Sequence, residues 1–249
     1  MSATHPKATR ICDLKDNKRI LITNVNGILG QQLFEQMRND HITIHKNDES
    51  KPHRFLGTLN TSNGGGMITP SPSDTIKIID FKNKPKTFAK QVREADLIVL
   101  DISQFNIDLL EADAVIEALK TSSKQNQRLV VVSSPLVWSN TSPKQDGLAY
   151  TDNEINSRVP LPKYLHAKNI EQNAMTLSKI SSVNVHIVCS GFLYGNGEQN
   201  DVFYEFFRCA WVSLHPHLAA LPLVNGGRNF LPTIHVRDLA NAIEAIFTT

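Results

Sequence analysis

The sequence predicts an α/β fold, a doubly wound parallel sheet followed by a small C-terminal lobe that is expected to be incomplete. Three observations carry this expectation. Short apolar runs alternate with helix-length segments, the order that βαβ units produce. Unbroken apolar runs such as Val130-Val131-Val132 suit strands covered on both faces. A glycine-bearing turn, Thr23-Asn24-Val25-Asn26-Gly27-Ile28-Leu29-Gly30, joins the first apolar run to the first helical stretch.

The elements follow in order. Arg19-Ile20-Leu21-Ile22-Thr23 reads as the first strand, residues 27–38 as a helix, and His41-Ile42-Thr43-Ile44-His45 as the second strand. Residues 47–74 are loop-like, with Gly64-Gly65-Gly66 and two prolines. Inside them lies an apolar island, Phe55-Leu56-Gly57-Thr58-Leu59, read as an extra edge strand. Residues 75–80 give the third strand, 88–95 a short helix, and Asp96-Leu97-Ile98-Val99-Leu100 a buried strand. Residues 109–119 have helical periodicity through Leu110, Ala114, Val115 and Ala118, and lead to a strand over 128–133. Pro160 and Pro162 precede a helix over 163–179, then a strand over 183–189 and a helix around 202–212. The last helix, 236–247, carries Asp238 in its first turn, where a carboxylate favours the helix dipole. Neither repeats nor an interdomain linker are visible. The expected organisation is a polar arm over 1–17 and one domain over 18–249, with its lobe beginning near 195.

Bulk chemistry narrows the function classes. The chain has 249 residues, 41% hydrophobic and 20% charged, values of a soluble globular protein. A net charge of +2 gives no strong field for nucleic acid or an anionic membrane, so neither is an expected partner. The nine histidines are scattered without metal-ligand spacing, and no metal site is expected. Three distant cysteines, Cys12, Cys189 and Cys209, fit reduced thiols and a cytoplasmic location. The first 17 residues lack an apolar core, so no signal peptide is read there, and no apolar run approaches membrane-spanning length.

The turn is where a dinucleotide would be expected. A strand ending in Thr23, then Gly27, Ile28, Leu29 and Gly30 opening a helix, lets backbone N–H groups approach a pyrophosphate. Asn24 stands where the pattern usually has its first glycine. Asparagine tolerates left-handed backbone, but its side chain projects toward the phosphate position. An acidic residue at the end of the second strand normally holds the ribose of NAD; here His45, Lys46 and Asn47 precede Asp48. Lys46 is then a candidate for the 2′-phosphate of NADP, or for no contact at all.

A second constellation points to hydride transfer. Tyr164-Leu165-His166-Ala167-Lys168 places Tyr164 and Lys168 one helical turn apart on one face. A neighbouring ammonium favours the phenolate and so suits tyrosine to acid/base work on a carbonyl. Ser134, in Ser133-Ser134-Pro135-Leu136-Val137-Trp138 after a strand, lies about 30 residues earlier and supplies a hydroxyl to hold a substrate oxygen. The competing reading is a surface helix with Tyr164 half-buried and Lys168 in solvent.

These motifs resemble the extended short-chain dehydrogenase/reductase family, with its Rossmann-type sheet. Ser134 falls on the family's catalytic serine, Tyr164 and Lys168 on its YxxxK pair, and Trp138 replaces a tyrosine. Tyr194-Gly195 matches the end of the family's R-x-x-N-x-Y-G motif, but Cys189 and Phe192 hold the arginine and asparagine positions. Pro232-Thr233-Ile234-His235-Val236-Arg237-Asp238-Leu239-Ala240 resembles the family's H-V-x-D-L-A segment. That segment, with Phe206-Phe207-Arg208-Cys209-Ala210-Trp211 and Leu221-Pro222-Leu223-Val224-Asn225-Gly226-Gly227, is similar to the N-terminal dehydrogenase-like domain of the adenylate kinase seven type, the isoenzyme of motile cilia and flagella. Kinase activity does not carry over, because no G-x-x-x-x-G-K-[ST] loop occurs. Extended dehydrogenases continue past H-V-x-D-L-A, so a sequence ending at Thr249 is expected to be a fragment or to lack the rest of its lobe.

Three functions are implied. One is an oxidoreductase or epimerase using NAD or NADP, with Ser134, Tyr164 and Lys168 catalytic and Thr23, Asn24, Gly27, Ile28, Leu29, Gly30 and Lys46 around the cofactor. Another is a non-catalytic module that docks on axonemal or microtubule-associated proteins in a cilium or flagellum. The third binds the cofactor without turnover. Loss of the first glycine, the ribose acid and the arginine/asparagine motif favours docking with weak or no turnover.

Overall fold

In the computed structural model the described residues are 18–44, 54–60, 76–104, 109–145, 147–195, 203–204, 211, 224–227 and 231–248. Six parallel strands form the main sheet: β1 (Arg19–Ile22), β2 (Arg54–Gly57), β3 (Ile76–Ile78), β4 (Leu97–Asp101), β5 (Gln127–Ser133) and β6 (Val183–Cys189). Their order is β3-β2-β1-β4-β5-β6. The sheet therefore winds outward in both directions from β1 and β4, and the crevice at the C-terminal ends of those two strands is the switch point where this fold class binds ligands.

The strand runs are apolar on both faces because helices cover both. On one side Leu21, Ile98, Leu129 and Val131 pack with α2 (Pro85–Glu94), α3 (Leu110–Lys120) and α4 (Leu165–Ile180), through Phe88, Val92, Val115, Leu119, Ile170 and Leu177. On the other side Ile20, Ile22, Val99 and Val130 pack with α1 (Ile28–Ile44) and α5 (Val236–Thr248), through Leu29, Leu33, Ile243 and Phe247. All of these side chains are essentially out of water, each contributing on the order of 1.5–3 kcal/mol of burial.

One expected element is corrected. Residues 41–44 are not a strand but the end of α1. The second strand is the apolar island, and it lies inside the sheet rather than at its edge, paired to β1 with Ile20 opposite Phe55 and Leu21 opposite Leu56. A four-residue apolar alternation suits a helix end as well as a strand. Phe55 and Leu56 decide the matter by burying side chains on opposite faces of the sheet. The arm over 1–17 and most of the helix expected around 202–212 lie outside the described residues.

A second, two-stranded parallel sheet joins β7 (Phe192–Tyr194) to β8 (Thr233–His235). It unites two segments that stood far apart in the sequence. Gly195, at φ +94°, packs directly against the His235 ring, which leaves no room for a side chain, and Tyr194 meets His235 edge-on at 5.2 Å. α5 then lies along α1, with Gln36 donating to Asn241 Oδ1 (2.7 Å) and Glu244 Oε2 (2.8 Å). Arg128 closes the C-terminal end of α5 by donating to the carbonyls of Ile246 and Phe247.

Candidate functional site

The turn after β1 sits at the switch point and is held there by strand chemistry. Thr23 continues the pairing with β4, its N–H donating to Val99 O at 3.0 Å. Its hydroxyl donates to the same carbonyl and accepts from Asp101 N at 2.9 Å. Asn24 follows with φ +53°, the left-handed conformation that the usual glycine would take. Its backbone N–H donates to Thr58 Oγ1, and its carbonyl accepts from Gly27 N at 2.8 Å. Asn26 ties the turn to the segment after β2: its side chain donates to Asn60 O (2.9 Å) and accepts from Asn60 N (2.8 Å).

The glycines now separate into two roles. A β-carbon on Gly30 would collide with backbone, against Asn24 O and 2.6 Å from Val25 Cα, so Gly30 is required by the close packing of α1 on the turn. A β-carbon on Gly27 would meet side chains instead: Asn24 Nδ2 at 2.7 Å and, nearer still, Gln104 Nε2. Ile28 and Leu29 direct their side chains into the core, Leu29 completely.

Behind these amides lies Asp101, at the end of β4 and 1% exposed. Burial pushes its carboxyl above the usual range, opposed by hydrogen bonds from Ser103 and Gln104. Ser103 gives both its N–H (2.9 Å) and its hydroxyl (2.6 Å) to Oδ1, and Gln104 Nε2 approaches Oδ2 at 3.4 Å. The Asn24 amide lies against this carboxyl and also opposes the effect of burial, although neither its Nδ2 nor its Oδ1 reaches a hydrogen bond of ordinary geometry.

These residues do not fit a pyrophosphate as they stand. The space over Gly27 that a phosphate needs is filled by the ends of Asn24 and Gln104, with a buried carboxylate beyond. A cleft of about 250 Å³ opens alongside, lined by Asn24, Thr58, Leu59, Asn60, Ile78–Asn83 and Glu111. The segment 57–60, Gly57-Thr58-Leu59-Asn60, follows the true second strand and offers no carboxylate for a ribose. Asp80, in the next loop, is held ionised by hydrogen bonds from the Asn83 N–H and amide, which keep its carboxyl below the usual range. Lys46, expected at the end of the second strand, lies outside the described residues, and the corrected position of β2 removes the reason for placing it at the ribose.

The second constellation lies beyond β5. Ser134 (4% exposed) caps the 3-10 turn Pro135–Trp138, its hydroxyl accepting from Leu136 N, and that turn packs on α4. Tyr164 is not inside the helix as expected. It ends the 3-10 turn Pro162–Tyr164 and forms the N-cap of α4. Lys168, in the first turn of α4, donates to Arg158 O at 2.5 Å. Among the described residues Ser134, Tyr164 and Lys168 share no hydrogen bond.

What the structure does gather here is a cluster that the motifs did not signal. Glu171 projects from the buried stripe of α4 (Ala167, Ile170, Glu171, Ala174, Leu177) and accepts from Arg158 Nη2 and from Ser133 Oγ. Arg158 also donates to Ile155 O (2.6 Å) and stacks on Trp138 at 5.5 Å. Cys189 receives a long contact from Arg158 Nη1, 3.7 Å. Its thiol is pushed up by burial of the sulfur and by Glu171, although the residue as a whole is exposed, so it is not an activated nucleophile. A carboxylate inside an apolar helical stripe was the available sequence signal.

Comparison with known proteins bears on the whole. No protein-family profile matches the chain. It is 26% identical to mouse adenylate kinase 7 over 160 residues, 61% of this chain and 25% of that protein. It is 38% identical to adenylate kinase 7 of Macaca fascicularis over 61 residues, 24% of this chain and 10% of that protein. The chain thus spans a quarter or less of the relatives it matches. Among solved structures, dTDP-glucose 4,6-dehydratase from Bacillus anthracis in complex with NAD superposes with a TM-score of 0.68 at 16% identity, covering 92% of this chain and 71% of that one. UDP-glucuronic acid 4-epimerase from Bacillus cereus, bound to UDP-glucuronic acid and NAD, gives 0.68 at 14% identity, covering 93% and 73%. The architecture is that of these epimerases and dehydratases, and the sequence is related in part to adenylate kinase 7.

Proposed function

We propose that this chain is a degenerate extended-dehydrogenase-like domain that acts as a structural docking component of a motile cilium or flagellum, with weak or no turnover. One observation carries the reading: the amide ends of Asn24 and Gln104 occupy the space over Gly27. The lack of a carboxylate in Gly57-Thr58-Leu59-Asn60 supports it. The ciliary setting rests on the resemblance to the adenylate kinase seven type, and its partners would be axonemal or microtubule-associated proteins.

A second reading has its own support. Ser134 stands at the C-terminal end of β5, and Tyr164 and Lys168 at the N-terminal end of α4, against which the turn after Ser134 packs. That placement suits an NAD(P)-dependent oxidoreductase. The two readings part in one experiment. The tagged chain is expressed in ciliated cells, and axonemes are stripped of membrane and matrix, alongside an assay of NAD(P)H oxidation with carbonyl substrates. Docking predicts retention in the stripped axoneme, unchanged by Tyr164→Phe, and no substrate-dependent oxidation. Oxidation abolished by Tyr164→Phe would establish the oxidoreductase instead.

A further inference from the structure

We infer that the phosphate position of this turn is occupied by the protein's own side chains, so that the domain excludes diphosphate ligands by a removable plug. The inference rests on the reading of the turn as degenerate and names the groups that make it so. Asn24 takes the left-handed backbone that a glycine would take, and its side chain points at Gly27. Gln104 reaches the same point from beyond β4, steered by Asp101. Two amides and a carboxylate then meet at the N-terminal end of α1, a helix of 17 residues whose dipole would otherwise favour an anion there.

Three physical consequences identify a plug rather than a collapsed site. The backbone of the turn keeps the geometry a glycine would give, so removing the Asn24 side chain needs no rearrangement. The atoms in the way are the far ends of side chains, whereas the atoms crowding Gly30 are backbone. The Asn24 amide is 1% exposed beside the Asp101 carboxyl, and neither of its polar atoms reaches a hydrogen bond of ordinary geometry, so little holds it over Gly27. Asp101 backs the two amides from the end of β4, so their removal opens the space over Gly27 only as far as its buried carboxyl.

The test uses the full chain as wild type, Asn24→Gly, Gln104→Ala and the double variant, with folding checked by circular dichroism. NADH, ADP and adenosine are titrated against each, by NADH fluorescence and calorimetry. The plug predicts at least about a tenfold gain in affinity for NADH and ADP in Asn24→Gly or the double variant, with adenosine unchanged. Gln104→Ala keeps the test decisive if Asn24→Gly fails to fold, since it removes the other half of the plug. Folded variants without any gain for NADH or ADP overturn the inference. So does wild-type chain that binds NADH as tightly as the variants; without turnover that result leaves the docking reading standing, and with turnover it removes both.

Discussion

Arg158 and Glu171 form an ion pair with side chains only 3% and 2% exposed, and it locks the segment before α4 onto that helix. Glu171 also accepts from Ser133 Oγ, and Arg158 O accepts from Lys168, so one pair joins β5, α4 and the 3-10 turn Asp152–Ser157 that leads into Arg158. Breaking such a pair leaves an uncompensated buried charge. Glu171→Gln should therefore cost about 3–5 kcal/mol, whereas Arg158→Met with Glu171→Leu should cost less than Glu171→Gln alone. Urea unfolding of the two variants checks this; equal losses for the single and the double variant would count against the buried pair.

The two turn glycines should respond differently to the same change. Gly30→Ala drives a β-carbon into backbone and should cost about 3 kcal/mol or more. Gly27→Ala displaces only the ends of Asn24 and Gln104, and should cost about 1 kcal/mol. Thermal melts of the two variants give the ranking directly, and a reversed order would mean that Gly27 faces something other than mobile amides.

Asp101 sets a pH dependence. Its folded carboxyl titrates above the unfolded value near 4, so between those two values the native state binds more proton than the unfolded one. Stability from this group is therefore lost as pH rises from about 4 toward the folded value. Asp80 and Glu154, both lowered by hydrogen bonds, act in the opposite sense and lose their contribution as pH falls. Melting temperatures of wild type and Asp101→Asn across pH 4–8 isolate the effect. The variant should gain on wild type as pH rises; a constant difference would show that Asp101 does not titrate there.

Tyr164 and Lys168 should behave as structural neighbours rather than as a catalytic pair. The Tyr164 ring is half-buried beneath Lys163, and its hydroxyl makes no hydrogen bond among the described residues. Tyr164→Phe should change stability by less than about 0.5 kcal/mol. Lys168→Met removes the bond to Arg158 O and should cost about 1–2 kcal/mol. Chemical denaturation distinguishes them; a large loss for Tyr164→Phe would reverse these roles.

Much of the sheet was legible along the chain, because short unbroken apolar runs such as Val130–Val132, set between helix-length segments, suit strands buried on both faces. The second strand was not. His41-Ile42-Thr43-Ile44 carries a pattern open to helix or strand, and only pairing with β1 selects Phe55 and Leu56. That one shift also took away the reason for expecting Lys46, which lies outside the described residues, at the ribose. The strain at the turn was readable, since Asn24 in a glycine position announces a left-handed backbone. What fills the space over Gly27 was not, because Gln104 and Asp101 arrive from a strand more than 70 residues away. Glu171 and Arg158 escaped notice for a related reason: neither belongs to a motif, and only α4 packing on β5 makes the carboxylate a buried partner.

Calorimetric titration of the wild-type chain with NAD(H) and NADP(H) tests the proposed closure of the turn most directly. The closed turn predicts no saturable heat up to about 1 mM ligand, whereas a Kd of about 10 μM or below for either cofactor would contradict it.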